Sequence, residues 1–217
     1  MEIAKYIDHA VLKPGMTQAE AASEIQKGVA CGVCTVCVRP CDIDLAKAIC
    51  KGSETRVICV LDFPHGCAGA EAKATLATIY AAQGVSEIDM VMNYGLARSG
   101  AWDRVSEEVR GVVAASHAKG VAVKVIFETS ELTLDEIRKA TEVCAEAGAD
   151  FVKTSTGFST KGATPEAVTA MVEAARGRIK VKASGGIRTK EQAEAYLSMG
   201  AERLGIGSTT TPLLCGK

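Results

Sequence analysis

Two lysines lie inside short apolar segments, where a charged side chain needs a specific reason. Lys153 occurs in DFVKTS (150–155) and Lys182 in IKVKAS (179–184), although lysine is rarely buried without a partner. One interpretation is structural: each ammonium pairs with an interior carboxylate or extends outward to solvent. A single lysine would favour that interpretation, whereas two lysines on neighbouring segments beside glycine-rich turns favour a chemical role.

The chemistry that two close lysines support is nucleophilic attack by an amine. A free lysine has a pKa of about 10.4, so roughly one side chain in 2,500 is neutral at pH 7. A second ammonium about 4 Å away costs about 4 kcal/mol at an effective dielectric of about 20, which lowers that pKa by about 3 units. This shift is large enough to make one lysine a Schiff-base nucleophile.

Two glycine-rich turns follow the last apolar segments, SGGIRT (184–189) and GIGSTT (205–210). Backbone N–H groups in such turns, a helix beginning at Thr189 and the Ser208 hydroxyl would hold a phosphate well. The alternative is that the glycines only make tight turns, and two adjacent turns weaken that alternative.

Further polar groups lie near the carboxyl ends of the apolar segments. Asp89 in EIDMVMN (87–93) could be an acid/base group or an ion-pair partner for a lysine. The other candidates at such ends are Asp8, Cys37, Asp62 and Glu128.

Eight β-branched segments alternate with amphipathic stretches. The segments are YIDHAVL (6–12), VCTVCV (33–38), RVICVLDF (56–63), EIDMVMN (87–93), VAVKVIFE (121–128), DFVKTS (150–155), IKVKAS (179–184) and RLGIG (203–207). Most are apolar on both faces, as covered parallel strands are. Eight such units predict a (β/α)8 TIM barrel forming a single domain over residues 1–217. A doubly wound sheet, which usually has five or six strands, is the less favoured alternative.

The helices carry their own start, stop and burial signals. Capping-box or Thr-Pro starts occur at Thr17/Glu20, Thr133/Glu136, Thr164/Pro165 and Thr189/Gln192. Glycines that end helices are predicted at Gly32, Gly84, Gly120, Gly148, Gly177 and Gly200. Buried helical stripes are predicted at Val105, Val109, Val112 and Val113, and at Leu76, Ile79 and Tyr80.

Four cysteines, Cys31, Cys34, Cys37 and Cys41, have the spacing of an iron–sulfur ligand run. Cys34 and Cys37, however, fall within a predicted strand, where Cys34 faces the helices and Cys37 the barrel interior. Such thiols cannot share one cluster, so we expect no metal site and interpret them as small buried hydrophobes.

Composition restricts the remaining classes. Lys plus Arg number 25 against 26 for Asp plus Glu, giving a net charge of −1 without the basic surplus of a nucleic-acid-binding protein. The sequence has no apolar run near the ~18 residues of a membrane helix and no signal peptide. Nine cysteines without a secretion signal predict reduced thiols and a cytoplasmic location.

The segments IDHAVLKP, TVCVRP, EIDMVMNYG, VKVIFETSELT, ADFVKTSTGF and VKASGGIRT together resemble the short form of the deoxyribose-phosphate aldolase family. The resemblance is collinear from about residue 5 to residue 208, with ADFVKTSTGF and KASGGIRT the most specific motifs. It implies reversible cleavage of 2-deoxy-D-ribose 5-phosphate to acetaldehyde and D-glyceraldehyde 3-phosphate in deoxyribonucleoside catabolism. It further implies no metal or cofactor and a homo-oligomer.

The resemblance also implies roles for individual residues. Lys153 forms the Schiff base, Lys182 lowers its pKa and assists proton transfer, and Asp89 is a proton donor and acceptor, acting through water. The phosphate is held at the segments of Gly157, Gly185, Gly186, Gly207 and Ser208. Asp8 and Cys37, at strand ends, complete the expected substrate-binding set.

The sequence departs from the family pattern at several positions. Ala10 replaces a threonine, Asp62 and His65 put a carboxylate and an imidazole near the expected entrance, Tyr94 replaces a common isoleucine, and Lys161 could add a phosphate contact. The chain end also lacks a tyrosine found in some relatives. These differences bear on substrate range and rate.

Three alternatives for the function remain: another Schiff-base or phosphate-handling barrel, a metal-binding protein, and an inactive barrel kept for binding.

Overall fold

The computed structural model describes residues 2–217, and its centre is a closed barrel of eight parallel strands in chain order. The strands are β1 (Ile7–Val11), β2 (Thr35–Val38), β3 (Arg56–Leu61), β4 (Glu87–Val91), β5 (Ala122–Ile126), β6 (Phe151–Lys153), β7 (Lys180–Ser184) and β8 (Arg203–Gly207). Because β8 pairs with β1, the sheet has no open edge. The predicted single-domain (β/α)8 TIM barrel is confirmed, and the doubly wound sheet is excluded.

The helices occupy the connections between strands. They are α1 (Gln18–Cys31), α2 (Ile43–Cys50), α3 (Ala70–Ala82), α4 (Tyr94–Arg98), α5 (Trp102–His117), α6 (Leu134–Glu146), α7 (Pro165–Ala175), α8 (Lys190–Ser198) and α9 (Thr211–Leu214). Single 3₁₀ turns form at Ile3–Tyr6, Pro40–Asp42 and Thr129–Glu131. Within residues 2–217, none of the helices has both the length and the hydropathy of a bilayer-crossing segment.

The predicted helix signals act as expected. The capping boxes form at the starts of α1, α6 and α8, where a threonine hydroxyl and a Glu or Gln side chain satisfy each other's backbone N–H groups. At α7 the Thr164 hydroxyl accepts from the Ala167 N–H, and Pro165 takes the first helical position. All six predicted helix-ending glycines have positive φ; Gly32, at 68°, donates to the carbonyls of Gly28 and Val29.

The core lies between the barrel wall and the helices, and it confirms one predicted stripe fully and the other in part. Val105, Val109, Val112 and Val113 of α5 are buried. On α3 the predicted stripe is only partly right: Leu76 and Tyr80 are partly buried against the core, but Ile79 is 49% exposed, and the fully buried residues are Lys73, Ala77 and Ala81. The reason is close helix packing: a Cβ added to Gly111 of α5 would lie 3.5 Å from the Ala74 Cβ of α3, so the facing residues are small.

Candidate active site

The two predicted lysines lie side by side inside the barrel. Lys153 of β6 and Lys182 of β7 are direct register partners, so their side chains leave the same face of adjacent strands. Both ammonium groups donate to the same oxygen of Asp89, Oδ2, at 2.9 and 2.8 Å. All three side chains are almost completely buried. Each lysine thus has a carboxylate partner, as the structural interpretation required, but the two share one partner.

A third lysine, which the sequence analysis missed, lies on the other oxygen of Asp89. Lys124 of β5 donates to Asp89 Oδ1 at 2.8 Å, binds Glu87, and lies 3.6 Å from Asp8 Oδ2. The available signal was the same as for Lys153, namely a lysine within an apolar segment. Strand pairing also brings the two groups together, because Asp89 and Lys124 are register partners.

The network continues towards the amino-terminal end of the barrel. Arg203 of β8 donates to Asp8 Oδ1 at 2.7 Å and to Glu87 at 3.3 Å, and Lys182 also donates to Asp8. Glu87 and Arg203 were also missed, because both stand at strand starts, whereas barrel sites are sought at strand ends. Asp8, predicted as a substrate contact, therefore also contacts three cations, Lys124, Lys182 and Arg203.

The electrostatic environment shifts the pKa values of the two register-paired lysines in opposite directions. Burial lowers the pKa of Lys153; Asp89 opposes this effect and Lys182 adds to it, so the net pKa lies below its ordinary value. Burial also disfavours the charged form of Lys182, but Asp8 and Asp89 outweigh it and raise the pKa. The direction predicted for Lys153 agrees with the structure, but its largest cause is burial and not the neighbouring ammonium.

The other members of the network are held in their charged forms. Burial opposes ionisation of Asp89, yet Lys124, Lys153 and Lys182 hold its pKa well below the usual range. The pKa of Asp8 is lowered in the same way, by Lys182, Lys124 and Arg203 against burial. Burial disfavours charge on Lys124, but the nearby carboxylates raise its pKa.

A cavity of about 340 Å³ opens above the lysines, at the carboxyl ends of the strands. Its lining includes every substrate-binding residue predicted from the sequence: Asp8, Cys37, Gly157, Gly185, Gly186, Gly207 and Ser208. Lys153 and Lys182 also line it, whereas Asp89 does not and lies beneath them with no exposed surface. Asp89 therefore reaches the cavity through the lysines.

The glycine turns form one wall of this cavity. Gly157, Gly185 and Gly186 all have positive φ, and a Cβ at Gly185 would lie 3.0 Å from the Gly162 Cα. Glycine is needed at Gly185 for both reasons. In the second turn the Ser208 N–H donates to the Ala10 carbonyl, and its hydroxyl lies beside the Glu24 carboxylate and helps to lower the pKa of that group.

Glu128 supports the Thr156–Phe158 part of the cavity lining. It is 3% exposed, has a φ of 56°, and accepts from both the N–H and the hydroxyl of Thr156. The Thr156 hydroxyl oxygen accepts in turn from the Phe158 N–H at 3.0 Å. Burial raises the pKa of Glu128. A non-glycine residue held at positive φ is a strained element typical of functional sites.

Several departures from the family pattern do not reach the main cavity. The Asp62 carboxylate accepts from the Ala68 N–H at 2.8 Å and lies 3.3 Å from buried Lys73. His65 and Tyr94 line a smaller neighbouring cavity of about 160 Å³, together with Glu128. Lys161 lines a third cavity. Among the described residues, neither Asp62 nor Lys161 lines the main cavity. The carboxylate expected at the entrance and the added phosphate contact are therefore not found there.

The cysteine run has a dispersed geometry. Cys37 points into the barrel interior as predicted, where burial raises the pKa of its thiol to about 12. Cys34 lies one residue before β2, outside the strand predicted for it, and its Sγ accepts from Arg56 at 3.3 Å. The interpretation as buried hydrophobes holds for Cys31 and Cys37, whereas Cys34 is partly exposed and Cys41 is exposed. Across residues 2–217, no three His, Cys, Asp or Glu side chains are grouped to hold a metal ion.

The fold and the lysine centre together define a (β/α)8-barrel enzyme. Comparison with known proteins is more specific: the chain belongs to the DeoC/LacD family of aldolases, whose family model matches residues 3–209. It is therefore a lyase. A relative from Thermoanaerobacter sp. (strain X514), named deoxyribose-phosphate aldolase, is 44% identical over 209 residues, 96% of this chain and 94% of the relative.

Another relative and two solved structures are also aldolases by name. A deoxyribose-phosphate aldolase from Aquifex aeolicus (strain VF5) is 41% identical over 208 residues, 96% of this chain and 93% of the relative. A solved structure titled "QR15, an Aldolase" superposes with a TM-score of 0.91 at 40% identity, covering 97% of this chain and 93% of that one. A tetrameric deoxyribose phosphate aldolase from Aeropyrum pernix gives 0.90 at 28% identity, covering 99% and 89%.

Proposed function

We propose that this aldolase uses a Schiff base on Lys153 to cleave 2-deoxy-D-ribose 5-phosphate reversibly into acetaldehyde and D-glyceraldehyde 3-phosphate, in deoxyribonucleoside catabolism. The observation that carries the proposal is the pair of lysines on one Asp89 oxygen, one with a lowered and one with a raised pKa. The names of the relatives support the choice of substrate.

Substrate binding begins with the phosphate. The turns at Gly185, Gly186 and Ser208 receive the phosphate, leaving the C1 aldehyde of the open-chain sugar directed at Lys153. Neutral Lys153 attacks C1, and the carbinolamine loses water after taking a proton from Lys182, whose raised pKa keeps it an ammonium. The product of this step is a protonated imine.

Bond cleavage follows from the imine. The C3 hydroxyl gives its proton to the Lys182 amine that dehydration left neutral, the C2–C3 bond breaks, and its electrons move into the imine to give an enamine and D-glyceraldehyde 3-phosphate. Lys182 returns that proton to C2 of the enamine, and water hydrolyses the resulting imine to release acetaldehyde and leave Lys153 as an ammonium. Since the imine accepts the electron pair, the proposal includes no metal or cofactor. We assign Asp89, whose Oδ2 accepts from both ammonium groups, the role of holding Lys153 and Lys182 together while the proton returns from Lys153 to Lys182.

One experiment tests the proposal directly. The wild-type protein should release acetaldehyde from 2-deoxy-D-ribose 5-phosphate, and Lys153→Ala should lose this activity. Borohydride with acetaldehyde should fix a two-carbon adduct on Lys153, identified by peptide mass spectrometry, while Lys180→Ala, an exposed neighbour on β7, retains the adduct. An adduct with dihydroxyacetone but not with acetaldehyde would instead favour another Schiff-base sugar-phosphate aldolase.

We also propose a cytoplasmic homo-oligomer. The nine cysteines are all free thiols, which fits a reducing compartment, and the Aeropyrum pernix relative is titled as a tetramer. Light scattering after size-exclusion chromatography measures the oligomeric state, and a monomer at micromolar concentration would contradict this part.

A further inference from the structure

The charged groups inside the barrel do not balance. Seven such groups contact one another, and each residue is under 10% exposed: Asp8, Glu87, Asp89, Lys124, Lys153, Lys182 and Arg203. Four of them are basic and three are acidic. If every group is ionised, this buried cluster has one surplus positive charge, which is costly away from water.

The contacts indicate which group relieves the surplus. Lys124 lies within 3.6 Å of three carboxylates, and Lys182 and Arg203 each contact two. Lys153 contacts one, Asp89, at 2.9 Å, and shares its oxygen with Lys182. Lys153 is therefore the cation whose charge is least compensated, and it is the one that loses a proton at the lowest cost.

We infer that Lys124 is a positioning residue of the aldolase: its ammonium, held by Glu87 at the far side of the cluster, supplies the surplus charge that Lys153 relieves by deprotonation. Lys124 is fully buried and does not line the cavity, so it acts through Asp89 and not on substrate. The inference rests on the proposed role of Lys153 as the Schiff-base amine.

The other groups around the cluster are neutral or are common to wild type and variants. The Cys37 thiol of β2 is neutral because burial raises its pKa to about 12, and Ile58 and Val60 of β3 are apolar. Glu128, beyond β5, acts on Lys153, and Arg56 of β3 contacts Glu87 at 3.1 Å with its side chain 49% exposed. Substitution of Lys124 leaves both of these charges in place.

The test measures how fast cyanoborohydride traps the acetaldehyde imine on Lys153 between pH 5 and 9. This rate follows the neutral fraction of the amine, so its acid limb reports the pKa of Lys153. A buried charge about 6 Å away shifts a pKa by about 2 units at an effective dielectric of about 20, and one about 10 Å away by about 1 unit. Lys124→Met should move the limb up by about 2 pH units, and Glu87→Gln should move it down by about 1.

The double variant provides the sharpest outcome. Lys124→Met with Glu87→Gln leaves three basic and two acidic groups, so the surplus of one returns and the limb should lie near the wild-type position. The matched control is Lys180→Met, which removes an exposed cation above the Phe151 ring and should leave the limb unmoved. Circular dichroism checks that each variant folds, and the Glu87→Gln shift tests the inference even where Lys124→Met does not fold.

Failure of the inference is distinguishable from failure of the proposed function. If wild-type protein traps no acetaldehyde on Lys153, the proposed function fails. If it does, but Glu87→Gln leaves the limb in place or moves it upward, Lys124 and Glu87 do not set the charge balance. A role that is only structural would lower the rate without opposite shifts in the two single variants.

Discussion

Replacing Lys153, the proposed Schiff-base lysine, should make the protein more stable while it abolishes activity. The pKa of Lys153 is lowered in the folded state, mainly by burial. Folding therefore disfavours the charged form, and this cost is present in full below the folded pKa. It disappears as pH rises through the unfolded value of about 10.4. Lys153→Met removes the cost at neutral pH and removes the nucleophile.

The structure sets the size of the effect. Lys153 is buried and has one carboxylate contact, at 2.9 Å, while Asp89 keeps Lys124 and Lys182 as partners after the replacement. Replacing buried ionic groups by apolar ones is often neutral or stabilising by 1–4 kcal/mol, and we expect about 1–2 kcal/mol here. For a chain of this size that corresponds to a rise in Tm of about 2–8 °C.

Thermal unfolding followed by circular dichroism at pH 7 and pH 10 measures the difference. Lys153→Met should melt above wild type at pH 7, and the gap should shrink at pH 10. Lys124→Met is the matched control: its pKa is raised, so its charge stabilises the fold below about pH 10.4 and the variant should melt below wild type. The reasoning is refuted if Lys153→Met melts below wild type at pH 7, or if its gap does not depend on pH.

Three further outcomes are expected. Glu128→Gln should lower kcat/KM about tenfold in steady-state kinetics, since it breaks one of two hydrogen bonds to Thr156; an unchanged value would contradict this role. Gly162→Ala should raise KM for the phosphorylated sugar more than it lowers kcat, because its Cβ would overlap the Gly185 carbonyl; equal effects would contradict it. Lys73→Met should cost about 3–5 kcal/mol in urea unfolding, since it leaves the buried Glu108 carboxylate without its cation; a loss under 1 kcal/mol would contradict it.

The fold could be predicted from local sequence because the same start and stop signals recur at the strand–helix connections. Apolar segments bounded by capping threonines and left-handed glycines define strands and helices without knowledge of their neighbours. The prediction for Ile79 was wrong because burial on α3 depends on a helix–helix distance that local sequence does not encode. Gly111 lets α5 approach Ala74 of α3, and the buried apolar residues of α3 are Ala77 and Ala81 while Ile79 is exposed.

The same limit applies to the site: some of its residues could be predicted from local sequence and others could not. Lys153 and Lys182 could be found because a cation in an apolar strand conflicts with its surroundings, and strand register makes them neighbours. Glu87 and Arg203 could not be assigned, because a polar residue at the start of a strand is ordinary until the barrel closes around it. Asp62 was misplaced because its φ of 50° turns the carboxylate towards Lys73, which periodicity cannot show.

Closure of the barrel has a consequence for the growing chain. Lys182 meets Asp8 across 174 positions of sequence, and Arg203, the first residue of the last strand, joins Asp8 to Glu87. A ribosome-bound fragment lacking β8 would carry Lys153 but not Arg203, the cation that completes the buried cluster. The charged centre is thus complete only when the final strand docks.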